Sequence, residues 1–225
     1  MFLSGTRGAI SVPLAGFGLY FILRGNKAVM ISGIVLMVIV FVFFKYTNIG
    51  QDVQQIRRMR TAFDPNDPSL QLRLANQRKL AVYLSSRPLG GGLGHAGIKA
   101  KKAMPNAFLA NIATDSWYVM IWAEQGIIGL ILHLIILFYI IIKASYLIMV
   151  KIRDPIVKMN STALAAGMLG IMVASYGNAV LGQVPTSLLI YASMALMLNS
   201  EKLDEVALAE KSKAKSSIPL LERSV

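Results

Sequence analysis

Three side chains in this 225-residue chain could do chemistry beside a bilayer: Arg7 and Arg73 on a negatively charged group, and Asp115 on a hydroxyl proton. Arginine presents a permanently charged, planar fork of donors that suits two oxygens of a phosphate or diphosphate at once. Arg7 stands at the head of the first apolar segment, so a snorkelling interfacial role competes with phosphate binding there. Arg73 is one of eleven Lys or Arg, against four Asp, between Lys45 and Ser116. A cationic stretch held between apolar segments is a place to retain an anionic, lipid-linked substrate at the membrane surface. Asp115 can take a proton from a hydroxyl, and it directly precedes Ser116-Trp117-Tyr118, whose aromatic pair suits the headgroup belt. A helix N-cap is its plainest competing role. Glu124 lies about two turns into the following apolar run, where a carboxylate is either a site residue or a polar pin between helices.

The run Gly92-Leu93-Gly94-His95-Ala96-Gly97 matches G-x-G-x-x-G in form. It lacks a strand before it and a helix with a ribose-binding acid after it, so no dinucleotide is expected. Gly92 and Gly94 instead mark a turn that lets the backbone pass close to a neighbouring helix or a substrate phosphate. His95 and His133 are the only histidines and there is no cysteine. No pair has metal-ligand spacing, and neither a metal nor another cofactor is expected. His133, inside an apolar run, reads as an interhelical hydrogen bonder.

The elements that must position these residues are hydrophobic. Of the chain 55% is apolar and the mean hydropathy is +0.58, with the excess gathered in long runs. The expected fold is all-α: a polytopic transmembrane bundle of about five spans, near residues 8–23, 28–44, 117–142, 162–180 and 185–198. Residues 1–45 carry the first two spans and 46–116 form one large extracytoplasmic loop. Residues 117–198 carry three more spans, and 199–225 form a charged cytoplasmic tail of little structure. Asp67-Pro68-Ser69 signals the start of a short amphipathic loop helix, with Leu70, Leu74, Ala81 and Leu84 on its apolar face. Gln51 to Met59 suggests a second.

Basic residues in the short connections (Arg24 and Lys27; Lys151, Arg153 and Lys158) and in the tail point those segments inward. The long loop escapes that rule and falls outside. With topology and loop accounting for most of the +12 formal charge, nucleic acid is not an expected partner. A chain that opens in mid-membrane reads as the C-terminal portion of a larger protein or one half of a split one.

Taken in order, these elements resemble the bacterial O-antigen ligase and O-antigen polymerase superfamily. Ser4-Gly5-Thr6-Arg7-Gly8-Ala9 is similar to its Ser-Arg-Gly element. Arg73 precedes Pro88-Leu89-Gly90-Gly91-Gly92 as its loop arginine precedes a Pro-Leu-Gly turn. Asp115-Ser116-Trp117-Tyr118-Val119 and Glu124-Gln125-Gly126 resemble its final element. Two positions depart from the pattern: Asp115 replaces a histidine, and Gln77 a tryptophan. The resemblance implies inverting, metal-independent transfer of a glycan from undecaprenyl diphosphate to a glycan or lipid acceptor, in the inner membrane with the loop periplasmic. It further implies Arg7 and Arg73 on the diphosphate, Asp115 as the base, and Glu124, Tyr118, Gly92 and Gly94 in support. A lipid-linked-glycan binding subunit and a transporter component are the alternatives.

Overall fold

A computed structural model of the protein describes residues 8–49, 52–53, 56–57, 60 and 67–217. Arg7 lies outside the described residues, and so does most of the segment 51–59 expected to be helical. Among the described residues the secondary structure is helical, in the order α1 (Gly8–Arg24), α2 (Lys27–Tyr46), α3 (Pro68–Leu84), α4 (Gly97–Ala103), α5 (Trp117–Tyr146), α6 (Pro155–Ala174), α7 (Thr186–Leu198) and α8 (Ser200–Ser217). The segments Lys27–Tyr46, Trp117–Lys151 and Pro155–Ala174 are long and apolar enough to cross a membrane; Val12–Arg24 and Thr186–Leu198 are shorter apolar helices. The molecule is a helical membrane bundle.

In lipid, helices gain little from burying leucine, so close backbone approach between small residues does the work. α1 packs along α6 in this way. A Cβ on Gly16 would lie 2.9 Å from the Ala166 carbonyl oxygen, and one on Gly170 2.6 Å from that of Val12. The bundle core joins Leu137, Ile141 and Ile148 of the α5 segment to Met168 and Met172 of α6 and Met194 and Met197 of α7. α2 meets α1 and otherwise turns Ile31, Ile34, Val35, Val38 and Ile39 outward, as a lipid-facing helix does.

Three expectations change. The fourth span begins at Pro155 rather than near 162: Asp154 caps it, its carboxylate accepting from the amides of Ile156 at 2.9 Å and Val157 at 3.2 Å. The loop helix runs from its Asp67 cap and Pro68 as expected, but its buried face is Leu80 and Leu84, and Ala81 is exposed. The tail, whose charge predicts little structure, is helical through Ser217 because it is tied down. The Asp204 carboxylate accepts from the amides of Arg153 (3.1 Å) and Asp154 (2.7 Å), and Lys211 donates to Asp154. That bond, with the Val157 amide second, holds the Asp154 carboxyl below the usual carboxylate range.

Candidate functional site

The site forms at the end of the bundle that carries the loop, and it depends on a break in α5. Gly126 adopts φ 68° and ψ −168°, dividing α5 into an arm, residues 117–125, and the long helix that follows. The indole Nε1 of Trp117 donates to His133 Nε2 at 3.1 Å. On a straight helix sixteen residues separate the two by roughly 24 Å along the axis, so the arm must fold back. Trp117 to Gln125 is therefore not the first third of a membrane span, and Glu124 does not sit two turns deep in one. His133 bonds across the break in its own segment rather than to another helix.

A break of this kind strands backbone groups, and the glycine turn satisfies them. The carbonyls of Ala123 and Glu124, which would otherwise accept from residues four further on, accept instead from the amides of Gly91 (2.9 Å) and Gly92 (3.0 Å). Gly90, Gly92, Gly94 and Gly97 all have positive φ, the conformation this turn needs and that a side chain resists. Of the two approaches expected of the turn, to a neighbouring helix or to a substrate phosphate, the first occurs, at Gly90 against Gly126, while nothing lies near a Cβ at Gly94. Glu124 adds a further tie, accepting the Ala96 amide at 3.3 Å. The turn, α3 and the arm share a small core of Leu80, Leu84, Ala96, Leu109, Ile112 and Ala123.

Ser116, not Asp115, caps the arm: its hydroxyl accepts the Val119 amide at 3.4 Å. The backbone of this junction is anchored to the end of α6, the Trp117 amide donating to the Ser175 carbonyl at 3.0 Å. Asp115 is thus released from capping, and its Oδ2 faces Arg73 Nε on α3 at 3.7 Å. Their side chains are 61% and 41% exposed, and an open pair of this kind contributes only about 0–1 kcal/mol to stability. What the pair provides is a cation beside a carboxylate.

Asp115 borders two spaces. On one side is a cleft of about 30 Å³ lined by Arg73, Gln77, Ser116 and Tyr176. On the other is a cavity of about 630 Å³ whose walls include Thr114, Trp117, Glu124, Lys101 and Gln183. Trp117, Met120 and Glu124 reach the cavity from one face of the arm, at helical spacing. Trp117 also lies against Gly182, where a Cβ would meet its ring at 1.8 Å.

The structure therefore brings Arg73, Asp115 and Glu124 to one region, with Gly94 in the wall of the larger cavity and Gly92 in the same turn but lining neither space. Tyr118 goes elsewhere: its hydroxyl donates to the Met172 carbonyl at 2.7 Å, and it lines neither space. Thr114 and Gln183 carry no signal in the sequence, and Trp117, expected in the headgroup belt, lines the cavity instead. The i, i+3, i+7 spacing of Trp117, Met120 and Glu124 was the one available signal, and it marks a face without saying what the face borders. Among the described residues no three His, Asp or Glu side chains gather as a metal site.

A family model described as O-antigen ligase matches residues 1–134. Over 138 residues the chain is 33% identical to an O-antigen polymerase of Salmonella muenchen, an alignment covering 60% of this chain and 33% of that protein. The chain thus spans about a third of the length of the curated relative it matches. No solved structure matches it. The matched stretch includes α3 with Arg73, the glycine turn and the arm behind Asp115, and by that match the chain belongs to the O-antigen ligase family.

Proposed function

We propose that the chain is part of a membrane glycosyltransferase that moves a glycan from undecaprenyl diphosphate to an acceptor hydroxyl during assembly of a surface polysaccharide. The observation that carries this reading is the 3.7 Å approach of Arg73 to Asp115, in a family whose printed description is O-antigen ligase. The Arg73 guanidinium binds a diphosphate oxygen of the donor. Asp115 accepts the proton of the acceptor hydroxyl as that oxygen bonds to the sugar C1 from the face opposite the diphosphate. The C1–O bond to the diphosphate breaks and its electron pair leaves with the phosphate oxygen, where Arg73 stabilises the charge that develops. Arg7 is a second diphosphate ligand in this scheme. Glu124 and the glycine turn hold the arm that presents Asp115. The site faces the periplasm, and the bundle sits in the bacterial cytoplasmic membrane.

The test is polysaccharide transfer in a strain lacking the native protein, complemented with Arg73→Ala or Asp115→Asn in the full-length protein. Both variants reach the membrane and neither restores transfer. Normal surface polysaccharide from both would refute the proposal. Loss of lipid-linked glycan binding in Arg73→Ala, with Asp115→Asn silent in every assay, would select a binding subunit instead.

A further inference from the structure

Asp115 lines two spaces of very different size. The Arg73 cleft, at about 30 Å³, is the smaller by far. The opposite cavity, at about 630 Å³, falls within the roughly 300–1,000 Å³ typical of ligand sites. Among the described residues its lining carries two carboxylates, Asp115 and Glu124, and one ammonium, Lys101. That balance disfavours a diphosphate and favours a ligand that donates hydrogen bonds.

Its walls carry unspent polar capacity. The Thr114 hydroxyl oxygen is buried without a hydrogen-bond partner. Glu124 uses one carboxylate oxygen on the Ala96 amide, and the other has no protein partner among the described residues. Gln183 offers an exposed amide from the connection between α6 and α7. Trp117 adds an aromatic surface, fixed by its bond to His133 and by Gly182 behind it. An aromatic surface set among carboxylate, amide and hydroxyl groups matches a sugar, whose C–H face is apolar and whose rim is hydroxyl groups.

We propose that this cavity is the binding site for the acceptor saccharide, which reaches Asp115 from the side opposite the diphosphate. The inference rests on the glycosyl-transfer reading above and adds to it the location and chemistry of the second substrate. Donor and acceptor then meet at one carboxylate without competing for space.

The experiment is calorimetric titration of the purified chain in nanodiscs. The two probes are oligosaccharides of one to three repeat units, hydrolysed from the producing organism's surface polysaccharide, and inorganic pyrophosphate. The oligosaccharide binds saturably. Gln183→Ala and Glu124→Gln each weaken it about tenfold, the scale of one hydrogen bond to a charged or polar partner. Arg73→Ala weakens pyrophosphate and leaves oligosaccharide affinity unchanged, and pyrophosphate does not displace the sugar. In a Trp122→Phe background the emission of Trp117 responds to the oligosaccharide; because calorimetry uses the chain with both tryptophans, its result stands even if that background folds poorly. Absence of oligosaccharide binding, indifference to both cavity substitutions, or displacement by pyrophosphate would overturn the inference. Those results combined with inactive Arg73→Ala and Asp115→Asn enzymes would remove the acceptor site alone. Active enzymes with those two substitutions would remove the transfer reading itself.

Discussion

Gly90 and Gly126 meet backbone to backbone: a Cβ built on either one would lie 2.4 Å from the amide nitrogen of the other. The first belongs to the loop turn and the second to the break in α5, so the contact joins two motifs that lie thirty-six residues apart in sequence. It explains both glycines through one physical requirement. The turn can replace the helical partners lost at the break only if the two backbones touch.

Substitution at that contact tests the requirement. In Gly126→Ala the new methyl group would lie 2.0 Å from the Pro88 carbonyl oxygen, at a residue whose φ is +68°. That backbone region, φ 68° with ψ −168°, is essentially restricted to glycine and costs a side-chain-bearing residue roughly 1–3 kcal/mol, with overpacking about 1–3 more, so folded protein should be lost well below the wild-type unfolding temperature. Gly94→Ala is the comparison, since its φ is +76° but nothing lies near its Cβ. It should cost only the conformational part, roughly 1–2 kcal/mol. Thermal unfolding in nanodiscs measures both, and equal losses would show that the backbone contact is immaterial.

The fold-back of the arm is tested at His133. His133→Leu leaves the Trp117 indole N–H without its acceptor, at a cost of about 1–3 kcal/mol, whereas His133→Gln can restore an acceptor and should recover part of the stability. In the Trp122→Phe background, Trp117 emission should change with His133→Leu and revert towards wild type with His133→Gln. An unchanged spectrum in both variants would mean that the arm is held by other contacts.

Arg73 and Tyr118 lie on opposite sides of the distinction between chemistry and packing. Arg73→Lys keeps the charge but loses the planar fork, and transfer should fall substantially. Arg73→Ala should fall by about 10²–10³, the scale of removing one donor to a developing anion. Tyr118→Phe removes only the bond to the Met172 carbonyl, costing about 1 kcal/mol of stability and leaving the transfer rate intact. A transfer defect in Tyr118→Phe, in protein that is fully folded, would return that hydroxyl to the site.

The tail should undock in acid. Lys211 first, and the Val157 amide second, depress the Asp154 carboxyl below its usual 3.8. A depressed folded value contributes stability that is fully present above the unfolded value and is lost as the pH falls through the folded one. Amide-exchange protection of α8 should therefore be flat from neutral pH down to about 5 and should decay below the ordinary carboxylate range. Lys211→Met should lower protection at neutral pH as well. Protection that ignores both the acid and the substitution would mean that the Asp204 contacts alone retain the helix.

The helical membrane class, the α3 cap at Asp67-Pro68 and the glycine turn at Pro88–Gly94 were legible in the chain, because each rests on short-range chemistry. Apolar run length requires internal hydrogen bonding, an Asp-Pro pair starts a helix, and glycines permit positive φ. The same Asp-Pro signal at Asp154-Pro155 marked the true start of α6, and Lys158 and Asn160 obscured it by interrupting the apolar run. Other features depended on which distant segments meet. Ser116 takes the cap where the following Trp117 amide is bonded to the Ser175 carbonyl, and that leaves Asp115 to face Arg73. The apolar composition of residues 117–142 is compatible with one straight span, yet the Gly126 break is held by hydrogen bonds from a turn more than thirty residues upstream. Local propensity specifies each helix separately, whereas the bend, the cavity and the two sides of Asp115 come from backbone groups that find partners only when α3, the turn, the arm and the end of α6 are packed together.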